Sequence, residues 1–280
     1  MLKIKAHALP AGTMAVSVLL VGVAALLLLL GGCKGRAKEE RSLNVVGSTS
    51  IQPFAELLAQ EYMKKYPDRQ VEVQGGGSTA GLQATSEGLA DIGMCSRSLS
   101  TEEAKTFTPI HIARDGLAIV VNNANPVNGL TMEQLRGLFS GTITNWKDVG
   151  GVDGPVWPIT REEGSGTRES FMKLVMAEEH ISRRALTQES NGAVKELVKG
   201  DPDAIGYMSL GLVGNELKPL PIDGVAPTHD NVLNGSYTLI RPFLFVTVGS
   251  PGPAALEFIS YVLSPEGQGI LEREGLVSAL

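Results

Sequence analysis

The chain has 280 residues and a formal charge of −6, and only 19% of its residues are charged. No run of Lys and Arg interleaved with aromatic residues occurs, which excludes nucleic acid as a partner. An acidic chain that takes an anion must do so with local donors, not with its overall field.

The N-terminus reads as a secretory leader. Lys3 and Lys5 make a basic start, Met14 to Leu30 is apolar apart from Ser17 and Gly22, and Leu30-Gly31-Gly32-Cys33 closes the run. Basic region, apolar region and small-residue cleavage site follow in the order of a signal peptide. The ending resembles a bacterial lipobox, in which Cys33 becomes a lipidated N-terminus. An uncleaved anchor is the other reading, because the run approaches the roughly 20 residues of a membrane span. Residues 1–32 are therefore expected to be a lipoprotein signal peptide and 33–42 a polar tether. Loss of Lys3 and Lys5 takes the formal charge from −6 to −8. The protein is expected to be exported and held at a membrane by lipid on Cys33, facing the periplasm or the cell exterior. Cys95, the other cysteine, lies in an apolar stretch and reads as a small core residue; with Cys33 lipidated no disulfide forms.

From Leu43 onward the pattern alternates between strand and helix. Leu43–Val46 is a short apolar run that ends in Gly47-Ser48-Thr49-Ser50. Pro53 suits a first helical turn, and Phe54, Leu57, Leu58 and Tyr62 recur at helical spacing. Val71–Val73 alternates as a strand and ends in Gly75-Gly76-Gly77-Ser78-Thr79, followed by a helical stretch over Ser78–Leu89. Ile92–Cys95 reads as a third strand. Strand, loop and helix in repetition imply a parallel sheet with right-handed crossovers. Ser100 to Glu103 and Thr131 to Gln134 fit the capping box, with an apolar strand over Gly116–Val121 between them. Val156–Ile159 is strand-like and leads to Gly164-Ser165-Gly166-Thr167, where Thr167 is a plausible N-cap. Ala204–Met208 is a short strand. Leu239–Val248 is a long apolar strand broken by Pro242. Helices are expected over Pro253–Leu263 and Pro265–Arg273. The exported part is long enough for two lobes, expected as 43–120 with 236–280 and as 121–235, joined near Val121 and again near Asn234–Tyr237.

Three Gly/Ser/Thr loops, each at a helix start, define the chemistry. Glycine lets backbone N–H groups approach a ligand, hydroxyls add donors, and a helix N-terminus adds unpaired N–H groups and a positive dipole end. Three in one chain suggest a pocket that wraps a small oxyanion without metal. Arginine supplies a planar fork of charged donors for such oxygens. Arg161 lies just upstream of the third loop and is the first choice. Arg97 follows the third strand, and Arg168 sits in a first helical turn where it is expected to face solvent.

The segments Gly47–Pro53, Gln74–Thr79, Ala90–Arg97, Arg161–Thr167 and Asp203–Tyr207 occur in one order that resembles the phosphate-binding proteins of the bacterial Pst uptake system, over essentially all of residues 43–280. The tail Leu263-Ser-Pro-Glu-Gly-Gln268 also fits solute receptors of that class. The resemblance implies an α/β, two-lobed fold of the periplasmic-binding-protein type, each lobe a mixed sheet flanked by helices. It implies a monomer that closes over one inorganic phosphate and delivers it to the permease subunits of an ATP-driven (ABC) transporter. Carried over residue by residue, the site comprises Thr49 or Ser50, Ser78, Arg97, Arg161, Ser165, Gly166 and Thr167, with Glu163 at the place of an acid that steadies the arginine. Where some members carry an aspartate that accepts the phosphate proton, this chain has Arg97. Pointing inward, Arg97 adds positive charge; pointing outward, it leaves a hydroxyl of Thr49, Ser50 or Ser78, or a backbone carbonyl, as acceptor. Either way the preference over sulfate is expected to be weaker than in relatives with the aspartate. Receptors for sulfate, molybdate or tungstate, and a phosphate scavenger or sensor without transport, are the alternatives.

Enzyme readings fare worse. Gly75 to Ala80 matches a loose G-x-G-x-x-A pattern but lies on the second strand, with no acidic residue ending the next. Ser170-Phe171-Met172-Lys173 matches S-x-x-K but lacks its partner motifs, and Phe171 reads as core. His111, His180 and His229 lack metal-ligand spacing. No catalytic residue, metal or cofactor is expected.

Overall fold

The computed structural model describes residues 42–279. The expected signal peptide, the lipid site at Cys33 and all but the last residue of the tether lie outside the described residues. Residues from Ser42 onward form one compact unit.

The first third is built as the pattern predicts. β1 (Leu43–Gly47), α1 (Gln52–Lys65), β2 (Val71–Gly75), α2 (Ser78–Ser86) and β3 (Ile92–Cys95) follow one another, and β1 lies parallel to both β2 and β3. α2 stops three residues short of Leu89. Gly88 takes a left-handed φ of 71°, and the N–H groups of Leu89 and Ala90 fold back onto the carbonyl of Ala84, a closure that glycine permits at a helix end. The Ser100 capping box is present, with the Glu103 N–H donating to Ser100 Oγ and the Ser100 N–H to Glu103 Oε2, yet it starts only the single turn α3 (Glu103–Thr106).

β4 (Phe107–Asn122) is far longer than the apolar core Gly116–Val121. Its first half is masked in the sequence by outward-facing Thr108, His111 and Arg114. α4 (Met132–Ser140) carries the expected capping box. β5 (Trp157–Arg161) leads into α5 (Gly166–Phe171), which runs on as a π-turn over Met172–Met176. The N-cap of α5 is Ser165, whose Oγ accepts from the Arg168 N–H, and not Thr167. Ser165 has the extended backbone an N-cap needs, whereas Thr167 already lies inside the first turn. β6 (Leu186–Gln188), α6 (Asn191–Gly200), β7 (Ala204–Ser209), β8 (Leu217–Pro219) and α7 (His229–Leu233) complete this half; of these only β7 stands out in the sequence.

β9 (Ile240–Val248) then returns, followed by α8 (Pro253–Val262), α9 (Pro265–Arg273) and β10 (Val277–Ser278). Pro242 does not break β9. β3 pairs only with Leu244–Val246 of β9, so at Pro242 the strand has β4 on one side and needs no N–H on the other.

The sheet order is β2-β1-β3-β9-β4-β7-β5-β6. Parallel triplets sit at both ends, β2-β1-β3 and β7-β5-β6, and the antiparallel pair β4 and β9 joins them. The chain thus has two lobes on one mixed sheet. The first core packs Phe54, Leu58 and Tyr62 of α1 against Ile92, Phe245 and Phe258. In the second half β4 is buried on both faces: Leu117, Ile119 and Val121 face Phe139, Phe171 and Tyr207, while Ala118 and Val120 face Val194 and Val198 of α6. Cys95 is buried and unpaired, as expected of a core residue. The Leu263–Gln268 motif is structural: Gln268 Nε2 donates to the carbonyls of Ile112 and Val262, and its Oε1 accepts from Ser278 and Ala279.

Candidate functional site

The three loops converge between the lobes. The Gly77 N–H donates to the Gly47 carbonyl at 2.9 Å, and the Thr79 N–H to the Gly164 carbonyl at 3.1 Å, so the second loop touches both others. Close approach dictates the glycines. A Cβ on Gly47, at φ 142°, would meet the Met94 carbonyl at 2.4 Å, and one on Gly166 would meet Ser78 Oγ at 2.2 Å.

At the centre lies a cluster of buried hydroxyls. Ser50 Oγ and Thr167 Oγ1 are 2.8 Å apart. Thr49 Oγ1 adjoins them through a shared donor, Asn191 Nδ2, which reaches Ser50 Oγ at 2.8 Å and Thr49 Oγ1 at 3.3 Å. Ser78 Oγ abuts Gly166, accepts from the Ser96 N–H at 3.1 Å and lies 3.3 Å from Ser96 Oγ. Ser50 lies two residues before α1, Ser78 and Asn191 open α2 and α6, and Thr167 sits in the first turn of α5. Residues at or near helix starts, whose free N–H groups carry the positive end of the dipole, thus supply the cluster.

Two arginines close the cluster. Arg161 is 2% exposed. Its Nε donates to Glu162 Oε2 at 2.9 Å and to the Gln188 carbonyl at 3.1 Å. Its Nη2 donates to Glu162 Oε1 at 2.9 Å and to Thr49 Oγ1 at 3.2 Å. Its Nη1 is buried and has no partner. Glu162 is thus the acid that steadies Arg161. Glu163 is not: its side chain is exposed, and its neighbour is Arg168 at 3.8 Å. The chain turns at Glu163 and Gly164, where the Ser165 N–H donates to the Glu162 carbonyl at 3.3 Å, and of the two glutamates only Glu162 meets the guanidinium. Tyr207 holds the end of β5 in place, its Oη meeting Thr160 Oγ1 at 2.7 Å and accepting from the Arg161 N–H at 3.2 Å, with its ring stacked on Phe171 at 4.0 Å. Burial raises the Tyr207 phenol further above its ordinary range, so it stays protonated.

The second arginine, Arg241 on β9, escaped the sequence reading. Its Nη1 donates to Thr167 Oγ1 at 2.7 Å and its Nη2 to Ser50 Oγ at 3.1 Å. Asp115, its register partner on β4, accepts from Arg241 Nε at 3.0 Å and lies 2.9 Å from Nη2. Both are buried. Burial pushes the Asp115 carboxyl up and the Arg241 guanidinium down, and each is opposed by the charge of the other. Ser209 completes the array: its Oγ donates to Asp115 Oδ1 at 2.9 Å and its N–H to Asn191 Oδ1 at 3.1 Å. Asn191 also escaped the sequence reading. The one available signal for Arg241 was an arginine inside an apolar strand, where a charge is costly unless paired.

Of the residues expected in the site, the structure gathers Thr49, Ser50, Ser78, Arg161, Gly166 and Thr167, with the buried N-cap Ser165 directly beside them. It does not bring Arg97 there. The Arg97 guanidinium turns away to Glu103, at 2.7 and 2.9 Å, and to Glu169 at 2.7 Å. These residues line a pocket of about 300 Å3 with Ser98, Leu99 and Lys173, which Arg241 borders as well. Two carboxylates outcompete a pocket of hydroxyls for a guanidinium, because charged hydrogen bonds are the stronger ones. Arg168 is half-buried and its neighbour is Glu163, away from the cluster. Ser170 Oγ donates to the Ser96 carbonyl at 3.3 Å, and Phe171 is core. Among the described residues, no three His, Cys, Asp or Glu side chains form a metal cluster, and no helix is long and apolar enough to cross a membrane.

The cluster therefore presents hydroxyls, one unspent guanidinium N–H group and converging helix starts, the donor set for a small oxyanion. Comparisons point the same way. Residues 34–266 match the model of the PBP superfamily domain. The chain is 33% identical over 239 residues to the phosphate-binding protein PstS of Bacillus subtilis, covering 84% of this chain and 79% of that one. It is 29% identical over 267 residues to PstS of Pseudomonas aeruginosa, with 84% and 82% covered. Among solved structures, it matches a protein from Clostridium perfringens described as a phosphate ABC transporter substrate-binding protein, crystallised with bound phosphate. That match has 39% identity, covers 86% of this chain and all of the other, and gives a TM-score of 0.83. An ABC-type phosphate transport receptor from Vibrio cholerae matches at 40% identity over 84% of this chain, with a TM-score of 0.71.

Proposed function

The chain belongs to the PBP superfamily and, within it, to the phosphate-binding proteins called PstS, and from that premise we propose that it captures one inorganic phosphate between its two lobes and passes it to an ABC permease. The observation that carries the reading to particular residues is Arg161. Its Nη1 is buried and unpartnered, on a guanidinium whose Nη2 reaches Thr49 Oγ1 in the hydroxyl cluster. A buried donor without an acceptor costs about 1–3 kcal/mol, and an oxyanion at the cluster supplies the acceptor. We assign Thr49, Ser50, Ser78, Ser165, Gly166 and Thr167, with Arg161, to the phosphate site. Arg97 belongs to a neighbouring ion cluster that ties the first lobe to α5.

Leu117, Ile119 and Val121, like Tyr237 and Leu239, pack in the second core. We therefore set the crossings between lobes inside β4, before Leu117, and inside β9, after Leu239, a few residues from the boundaries expected at 120 and 236. Only a ligand that touches both lobes favours the closed over the open arrangement. We further propose that the protein is a receptor and not an enzyme, that it acts as a monomer, and that lipid on Cys33 holds it at the outer face of a membrane. A lipidated Cys33 in mass spectra of the membrane fraction is the expected result; an intact Met1 refutes it.

Calorimetry of the protein from Cys33 onward with phosphate, sulfate, molybdate and a nucleotide tests the main reading. Phosphate is expected to bind most tightly and the nucleotide not at all. X-ray scattering with and without phosphate should show compaction on binding, and an unchanged radius of gyration at saturation argues against closure.

A further inference from the structure

The two strands that cross between the lobes carry a buried ion pair at the crossing itself. Asp115 lies two residues before Leu117 on β4, and Arg241 two residues after Leu239 on β9. They are register partners, and Arg241 Nε donates to Asp115 Oδ2 at 3.0 Å. From this pair hydrogen bonds run out to both lobes and meet again. Arg241 Nη2 donates to Ser50 Oγ, on the first loop, at 3.1 Å. Asn191 Nδ2, at the start of α6, donates to the same oxygen at 2.8 Å. The Ser209 N–H, at the end of β7, donates to Asn191 Oδ1 at 3.1 Å, and Ser209 Oγ returns to Asp115 Oδ1 at 2.9 Å. Asp115, Arg241, Ser50, Asn191 and Ser209 thus close a ring, and each is at most 2% exposed. At that burial water does not replace a broken bond, so the ring contributes most when it is complete.

The ring spans three parts of the molecule. Ser50 belongs to the first lobe, Asn191 and Ser209 to the second, and the ion pair to the crossing. A rotation about the crossing strands carries α6 away from the first loop and breaks the 2.8 Å bond between Asn191 and Ser50. It also parts Arg241 Nη1 from Thr167 Oγ1, 2.7 Å away on α5. Within the ring Ser50 acts only as an acceptor, so an anion that takes its proton leaves the ring whole.

We propose that Asp115, Arg241, Asn191 and Ser209 are positioning residues that set the rate of phosphate release: their ring fastens Ser50 to the second lobe and to the crossing strands, and it is complete only while the lobes are closed. The inference rests on the phosphate reading and on the closure proposed with it. It goes beyond them because Asp115 and Ser209 hydrogen-bond to none of the residues assigned to the ligand. A bond present only in the closed arrangement holds the lobes shut and leaves capture by the open lobes untouched, so its loss appears in the dissociation rate.

The test is phosphorus NMR exchange spectroscopy, which reads the dissociation rate of inorganic phosphate from the protein, with calorimetry for the affinity; the association rate follows from the two. In Asn191→Ala, which loses the bond between lobes, release is expected to be about tenfold faster, the equivalent of one buried hydrogen bond, with the association rate within about twofold of wild type. In Ser209→Ala, where Asp115 keeps Arg241 and the Leu210 N–H as partners, release is expected to be about threefold to fivefold faster. Because both act through one ring, the double variant is expected to release phosphate no more than about twofold faster than Asn191→Ala alone. Effects that multiply in the double variant overturn the ring. Unchanged release in Ser209→Ala also overturns it and leaves the phosphate reading standing. A fall in association rate that accounts for the change in affinity places these residues in capture and overturns the inference. No phosphate binding by the unsubstituted protein overturns the phosphate reading and the inference together. If Asn191→Ala does not fold, Ser209→Ala decides by the same split of rates.

Discussion

Two buried arginine clusters lie side by side at the junction of the lobes, and they are built to opposite ends. Arg97 faces two carboxylates, Glu103 and Glu169, so its positive charge is more than neutralised. Arg161 and Arg241 each face one carboxylate; Arg241 gives its other donors to the hydroxyls of Ser50 and Thr167, Arg161 gives its own to Thr49 and to the carbonyls of Gln188 and Glu189, and Arg161 Nη1 meets no acceptor in the protein. The count of arginines does not make an anion site. What makes one is donor capacity left over after the local acids are satisfied.

The largest break between the clusters is expected from Asp115→Ala. It strands the buried Arg241 charge, and removing one partner of a buried pair costs about 3–5 kcal/mol. Chemical denaturation should show that loss; a change below about 1 kcal/mol would mean Arg241 finds another partner. Arg161→Ala should weaken phosphate binding by at least about tenfold with the fold intact, since a charged hydrogen bond contributes roughly 1.5–3 kcal/mol. Arg161→Lys should recover only part, because the planar fork is lost. If Arg161→Ala binds like wild type, the third loop does not contact the ligand.

A smaller effect is expected from Gly166→Ala, whose Cβ would meet Ser78 Oγ at 2.2 Å and Ser96 Oγ at 2.8 Å. Forced repacking of this kind costs about 1–3 kcal/mol, here expected mostly in closure and read as reduced compaction by scattering at saturating phosphate. The smallest effect on binding belongs to the other cluster. Arg97→Gln should change phosphate affinity by less than about threefold, well under 1 kcal/mol. The Arg97 cluster should instead show itself in acid. The Arg97 guanidinium holds the Glu103 carboxyl down at about 2, below its value in the unfolded chain. The stability it contributes is full above the ordinary carboxylate range and is lost as pH falls from there toward about 2. In Glu103→Gln that part of the acid dependence should vanish from denaturation curves, while phosphate binding at neutral pH persists.

The periodicities and turns were legible wherever the signal is local. β1, β3 and α9 stand within a residue of their expected limits, because apolar runs, Pro at a first turn and capping residues act over a few positions. The three loops and Arg161 were legible for the same reason. Glycine at a close approach and hydroxyls at a helix start are dictated by backbone geometry that the local sequence must supply. β6 and α7 were missed because three- and five-residue elements leave no period to read.

What only the tertiary structure decided is the pairing of side chains distant in sequence. Arg241 meets Ser50 across 191 positions and Thr167 across 74, and Asn191 meets Ser50 across 141. Nothing near Arg97 in the chain announces that Glu169 will stand against it, nor that Glu162 rather than Glu163 will turn toward Arg161. The sequence by itself determined the longer elements of the first lobe and the C-terminus, the oxyanion loops and the family. The register of β4 against β9, which sets Asp115 opposite Arg241, decided which arginines face the hydroxyls and which is spent elsewhere. A guanidinium goes to the nearest acid, and nearness is a property of the folded chain.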